Sequence, residues 1–241
     1  MTELARPRVR GSSNQQDATD STVEMAVRTR PPRSIPKALE VRAVAPSVVR
    51  PLIEGQHYLH SMPAAPCRCF GVYLGGELQG AVVLTAGARH GYRVLAAADP
   101  QHVVTLARLW LSDALPTNSE SRVIGVVLRS LRHEARWKVV LSYADPAAGH
   151  VGTIYQATGW LYLGQSVPTT YIRLADGRLY HPRSLSERLG SDGVGHLRAT
   201  GIQAARQPVS GKFKYVYLLD RTWGWRLRGL AQRYPRAGKA A

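Results

Sequence analysis

The sequence predicts a mixed α/β domain, a central sheet flanked by helices, with a basic C-terminal extension. Three observations carry this. Runs that alternate with period two trade places with runs of helical period; Gly75-Gly76 joins two apolar, β-type runs; and the short apolar run Val139–Tyr143 breaks at Asp145-Pro146 into a helical stretch. A chain of 241 residues can bury one good core and carry appendages.

The elements follow in order. Residues 1–37 mix Arg, Ser, Gln, Asp and Pro without apolar period and read as a disordered, weakly basic leader. Leu39–Val44 alternates as a strand, and Ala45–Leu59 places Val48, Val49, Leu52 and Ile53 at helical spacing. Phe70–Leu74 and Leu78–Thr85 form the hairpin around Gly75-Gly76. Thr105–Leu111 alternates again, which places Leu106, Arg108 and Trp110 on one side of a strand. The polar run from Pro116 to Ser121 then opens a helix to about Arg136. After Val139–Tyr143 come a helix over Gly149–Thr158 and strands at Tyr162–Gln165, Tyr171–Leu174 and Arg178–His181, the last two joined by Asp176-Gly177. Helices at Ser184–Leu189 and Val194–Thr200 and a strand at Phe213–Leu219 precede an Arg-rich end. The expected organisation is a leader (1–37), a catalytic core (38–172) and an extension (173–241) that completes the sheet and contacts DNA.

The net charge of +16 is unevenly placed: residues 1–37 and 38–172 each carry +3, and residues 173–241 carry +10. Such a field captures polyanions, and the excess of Arg over Lys suits bidentate phosphate contacts. Arg183, Arg188, Lys212 and Lys214 are the DNA-contact candidates, with Arg226 and Arg228 set around Trp223 and Trp225 to grip a backbone and stack on bases. The plain alternative is a solvated basic surface. Cys67 and Cys69 are too few for a disulfide framework, and no apolar run is long enough to span a bilayer. A soluble, cytoplasmic protein is expected, with a homodimer left open.

The chemistry-bearing block starts at Ser142: Ser-Tyr-Ala-Asp-Pro-Ala-Ala-Gly-His-Val-Gly-Thr-Ile-Tyr-Gln-Ala-Thr-Gly-Trp. It crosses from a strand end into a helix, where α/β folds place binding residues. Asp145 reads either as a turn cap or as a group that accepts a proton from an amine. Tyr155 reads as a buried structural hydroxyl or as a proton donor, and Ser142 as a core strand residue or a site residue. His57 and Tyr58 end the first helix and read as an ordinary helix end or as part of a substrate wall, where a tyrosine can stack on an extruded base. Arg108 needs a partner, either Asp113 or Glu120 in an ion pair, or a ligand. His150 is equally a cap or a catalyst, and Trp160 reads as core. His57, His60, Cys67 and Cys69 match no closed zinc spacing, which leaves a metal unassigned.

That block, with Leu106-Ala-Arg-Leu-Trp110 and Asn118-Ser-Glu-Ser121, resembles the Mom family of phage DNA-modification proteins over about residues 40–220. The resemblance implies a GNAT-like N-acyltransferase fold, whose element order the chain shares. It also implies action on the exocyclic N6 amine of adenine in double-stranded DNA, giving a carbamoylmethyl adenine that shields phage DNA from restriction in the bacterial host cytoplasm. Acetyl-coenzyme A is implied by the fold and iron by the family. In that fold a helix start holds the cofactor pyrophosphate, here Thr117, Asn118, Ser119 and Ser121, without the usual glycine-rich loop. The carbamoylmethyl group joins nitrogen through a methylene carbon, so simple acyl transfer does not produce it. Two rivals remain: a GNAT acetyltransferase acting on a small amine or a protein, and a DNA-binding protein without catalysis.

Overall fold

The structure, a computed structural model, describes residues 39–63, 65–86 and 100–236; the expected leader lies outside them. Its strands are β1 (Leu39–Val44), β2 (Pro66–Leu74), β3 (Glu77–Thr85), β4 (Val103–Leu111), β5 (Val139–Ala144), β6 (Leu161–Gln165), β7 (Thr169–Leu174), β8 (Leu179–Tyr180), β9 (Ala204–Val209) and β10 (Phe213–Leu218). The helices are α1 (Pro46–Gln56), α2 (Ser119–Glu134), α3 (Thr153–Ala157), α4 (Pro182–Leu189), α5 (Val194–Ala199) and α6 (Gly224–Arg228).

A seven-stranded sheet runs β1-β2-β3-β4-β5-β10-β6. All its pairs are antiparallel except β4 with β5. This is the mixed, helix-flanked sheet that the sequence predicts. On one face α2 buries Val123, Ile124, Val127, Leu128 and Leu131 against Val82, Leu84, Val104 and Val140, and Tyr155 of α3 joins the same cluster. On the other face α1 packs Val49 and Ile53 on Cys69, Ala81 and Val83, and Leu227 of α6 packs on Val139, Leu141 and Val216. Spacing of four along α2 gives one apolar stripe, and period two along the strands gives two apolar faces. Each face therefore takes a helix.

β4 and β5 pair only from Val103/Val139 to Leu106/Ser142. Beyond that point each continues, so the strands part and open a notch. The register of β4 on β3 also slips there, with Val83 opposite Arg108 but Leu84 opposite Leu106. Ala107 is the extra residue of a bulge, which breaks the alternation. Leu106 therefore points to the α2 face, while Arg108 and Trp110 share the α1 face with Val83 and Ala81. The expectation that all three face one way is corrected by that bulge.

Between β6 and β10 the chain builds a separate three-stranded sheet, β8-β7-β9. Its small core joins Ile172, Leu185, Leu197 and Ala204 beneath α4 and α5. β9 and α6 carry too little apolar pattern to be expected from sequence. The expected long helix over Gly149–Thr158 is instead a 3-10 turn at Pro146–Ala148 followed by the five-residue α3. Left-handed Gly149 and Gly152 interrupt what would otherwise be one helix.

Candidate active site

The notch between β4 and β5 is a cavity of about 530 Å³, lined by Leu106, Leu109 and Trp110 of β4 and by Ser142, Tyr143 and Asp145 at the end of β5. His57 and Tyr58 after α1, Glu120 of α2, His150 and Tyr155 complete its wall. Five sequence candidates (His57, Tyr58, Ser142, Asp145 and Tyr155) thus meet at one place. They come from two stretches far apart in the chain, 57–58 and 142–155.

Asp145 caps the turn after β5. Its Oδ1 accepts the Ala147 N–H at 3.0 Å, and its Oδ2 pairs with Lys212 Nζ at 2.9 Å. The cap reading therefore holds, and a lysine is added to it. Burial works against the Lys212 charge, but the Asp145 carboxylate, helped by Tyr171 and Tyr58, holds its pKa above the ordinary lysine range. Lys212 was expected on a DNA surface; the structure places it on Asp145 because β10 inserts beside β5, opposing Phe213 to Ala144. No sequence signal short of the strand order would have found this pair.

Ser142, 1% exposed, lies on the α2 face of β5, and its hydroxyl bonds the Leu106 carbonyl at 2.9 Å and the Tyr155 hydroxyl at 2.8 Å. Burial, only partly opposed by the Ser142 hydrogen bond, pushes the Tyr155 phenol up to about 12. Tyr215 packs on Tyr155 with ring centroids 5.1 Å apart and donates its hydroxyl to the Val151 carbonyl. Gly152 is required there: a Cβ would lie 2.3 Å from the Tyr215 ring.

His57 is buried and its Nδ1 accepts the Leu59 N–H at 3.1 Å. Burial, then the positive charge of Arg108 and the neighbouring His150 and His60, lowers its pKa to about 4, so the ring is neutral at physiological pH. Tyr58 stacks on it at 4.5 Å and meets the His150 ring at 5.5 Å, yet stays half exposed. Burial raises the Tyr58 phenol, with Lys212 opposing and Asp145 adding to the shift.

Arg108 does not line the cavity. Its Nε donates to the Ser61 carbonyl at 3.0 Å and one terminal nitrogen to the Ala107 carbonyl at 2.8 Å, in place of the ion pair with Asp113 or Glu120. It ties the loop after α1 to the β4 bulge and so fixes His57 and Tyr58 over the notch. Trp160 is fully buried core, as expected.

The cofactor candidates fare differently. Thr117 and Asn118 are exposed, Ser121 is half-buried, and the buried Ser119 hydroxyl donates to the Pro116 carbonyl at 2.7 Å. From that turn only Glu120 reaches the cavity, joined by Asp113. Sequence reasoning missed this acidic end, and it missed Tyr143. Among the described residues no three His, Cys, Asp or Glu side chains come together to hold a metal, so the donor set does not fit iron and no step is derived through one. Cys67 is exposed and Cys69 buried. Arg188 is exposed beside the Tyr180 ring and Lys214 lies on β10 facing Tyr143, whereas the side chains of Arg183 and Arg226 lie outside the described residues. No helix among the described residues is long and apolar enough to cross a membrane.

The chain is similar to known proteins over most of its length. Among solved structures, an N-acetyltransferase from Staphylococcus aureus Mu50 aligns over 75% of this chain and 97% of its own, at 12% identity and a TM-score of 0.45. A spermidine N-acetyltransferase from Vibrio cholerae aligns over 78% and 97%, at 10% identity and a TM-score of 0.45. The methylcarbamoylase mom of Escherichia phage Mu is 30% identical over 192 residues, 77% of this chain and 77% of the phage protein. A model of the Mom protein family matches residues 38–236, which takes in every strand from β1 to β10 and the whole cavity. The chain belongs to the Mom protein family.

Proposed function

We propose that the protein is a DNA-modifying transferase that converts adenine in double-stranded DNA to its N6-carbamoylmethyl form and so protects phage DNA from restriction. The observation that carries this reading is the meeting of Asp145, Tyr155, Ser142, His57 and Tyr58 in one notch of a Mom-family chain. Bond formation at the N6 amine requires loss of a proton, and Asp145 offers an acceptor whose charge Lys212 stabilises. Neutral His57 backs the exposed Tyr58 ring, a platform on which an extruded adenine stacks. The basic extension supplies phosphate contacts that offset extrusion, Arg188 and Lys214 among them.

Acetyl-coenzyme A suits the notch in part. Past Leu106 the edge of β4 facing β5 has no strand partner, so its peptide groups, other than the Ala107 carbonyl taken by Arg108, can bond an amide-bearing arm. When bound, such a cofactor would supply a two-carbon acyl unit at the cavity; the N–CH2 bond and the amide nitrogen of the product call for an oxidant and a nitrogen donor besides it. Tyr155, held protonated by burial, is the group placed to give a proton to a departing thiolate. The start of α2 is a poor seat for phosphate because Glu120 stands there.

The test is co-expression with a plasmid, followed by digestion of the DNA to nucleosides and mass spectrometry. A heavier deoxyadenosine, absent with Asp145→Ala, is the expected result. Deoxyadenosine of unchanged mass alongside folded wild-type protein sinks the reading.

A further inference from the structure

After α6 the chain folds back across the free edge of β6. The Gln232 N–H donates to the Tyr162 carbonyl at 2.8 Å, the Tyr234 hydroxyl to the Trp160 carbonyl at 2.6 Å, and the Gln156 side-chain amide to the Pro235 carbonyl at 3.3 Å. Gly164 admits this strap: a Cβ there would lie 2.7 Å from the Gln232 side chain. Three anchors over four residues fix the backbone on both sides of Arg233 and lead directly to Arg236.

Those two arginines border a second cavity of about 850 Å³ with Val151, Thr153, Gln156, Tyr234 and Pro235. No carboxylate lines it, and neither guanidinium has an ion pair or hydrogen bond among the described residues. Val151 and Thr153 line the catalytic notch as well, so the two cavities adjoin at the turn before α3. The notch is therefore electrostatically lopsided. Asp113 and Glu120 stand at its α2 end, and two unpaired arginines lie past its α3 end. A phosphorylated ligand lying along the notch is repelled from the first and drawn to the second.

We propose that Arg233 and Arg236 form a phosphate-binding subsite continuous with the catalytic notch, which takes the phosphate groups of a coenzyme A-type donor. Each guanidinium presents a planar fork of N–H donors matched to phosphate oxygens. A DNA backbone phosphate offers the same chemistry, and the experiment separates the two sources. The inference rests on reading the notch as the pocket of a phosphorylated donor.

The experiment titrates full-length wild type and the double variant Arg233→Gln/Arg236→Gln with coenzyme A and, separately, with a short DNA duplex at several salt concentrations. Both arginines are exposed, so the melting temperature should be unchanged. The expected result is a Kd for coenzyme A raised about tenfold or more, with duplex binding little altered. Arg233→Lys/Arg236→Lys should restore part of the affinity, since it keeps the charge and loses the fork. Loss toward either ligand upholds a phosphate subsite, and the arm that responds names the source; a duplex response should flatten the salt slope by about two. Unchanged affinity for both overturns the subsite while leaving the functional reading intact. Wild-type protein that binds neither ligand overturns both.

Discussion

The Tyr155 hydroxyl donates a hydrogen bond to Ser142 Oγ. Ser142 Oγ lies 2.9 Å from the Leu106 carbonyl and 2.8 Å from the Tyr155 oxygen. A carbonyl can only accept, so the single serine proton goes to Leu106 and the second bond needs the tyrosine proton. The resulting line of bonds ties α3 through β5 to the last paired residue of β4, at the point where the strands part.

Removing the Tyr155 hydroxyl therefore tests chemistry with little structural cost. Tyr155→Phe keeps the ring packed on Trp160 and Tyr215 and loses one neutral hydrogen bond, about 1 kcal/mol. Modified nucleoside formation should fall about 10²- to 10³-fold. A urea titration and nucleoside mass spectrometry read the two effects apart. Full activity in Tyr155→Phe would remove the hydroxyl from the reaction.

Asp145 and Lys212 should behave as one unit. Asp145→Asn and Lys212→Met should each lower modification, and the double variant should lose little more than either alone, so that the coupling energy nearly equals the smaller single effect. Lys212→Met should leave the salt dependence of DNA binding nearly as in wild type, because its charge is spent on Asp145. A salt slope flattened by about one would return Lys212 to the DNA surface.

His57 imposes a pH dependence on stability. Its folded pKa of about 4 lies below the 6.5 of an exposed histidine, so between those values the unfolded chain binds the extra proton. Stability from this group is complete above about pH 6.5 and is lost as the pH falls toward 4, by about 3 kcal/mol at most. Urea titrations at pH 7.5 and 4.5 should show that loss in wild type and a smaller one in His57→Gln. Equal losses in both would assign the acid sensitivity to other groups.

Gly149 and Gly152 share a left-handed backbone, at φ +75 and +80, but not their surroundings. A Cβ at Gly149 meets nothing within 4 Å, whereas one at Gly152 meets the Tyr215 ring at 2.3 Å. Gly149→Ala should cost about 1 kcal/mol from backbone strain alone. Gly152→Ala adds overpacking and should cost about 2–4 kcal/mol, displacing α3 and Tyr155 with it. Equal melting temperatures for the two variants would contradict the contact.

The sequence by itself determined the order of the elements apart from β9 and α6, and it marked most of the residues that line the notch. Alternation marks β1 and β4, apolar runs mark β2, β3 and β5, Gly75-Gly76 marks the hairpin, and the Asp145–Tyr155 block marks the strand-to-helix junction, because these are local properties of the backbone and of apolar period. His57, Tyr58, Ser142 and Asp145 were legible as candidates for the same reason: each sits at or near the end of an element. Pairing across the chain was decided only by the tertiary structure. The bulge at Ala107 turns Arg108 away from Leu106, and a bulge depends on the partner strand rather than on the residues that form it. The insertion of β10 beside β5 brings Lys212 to Asp145 across 67 positions, and the fold-back after α6 brings Arg233 and Arg236 to α3. Such contacts follow from which edges and faces remain to be covered once the sheet has formed, and no local pattern in the chain encodes that.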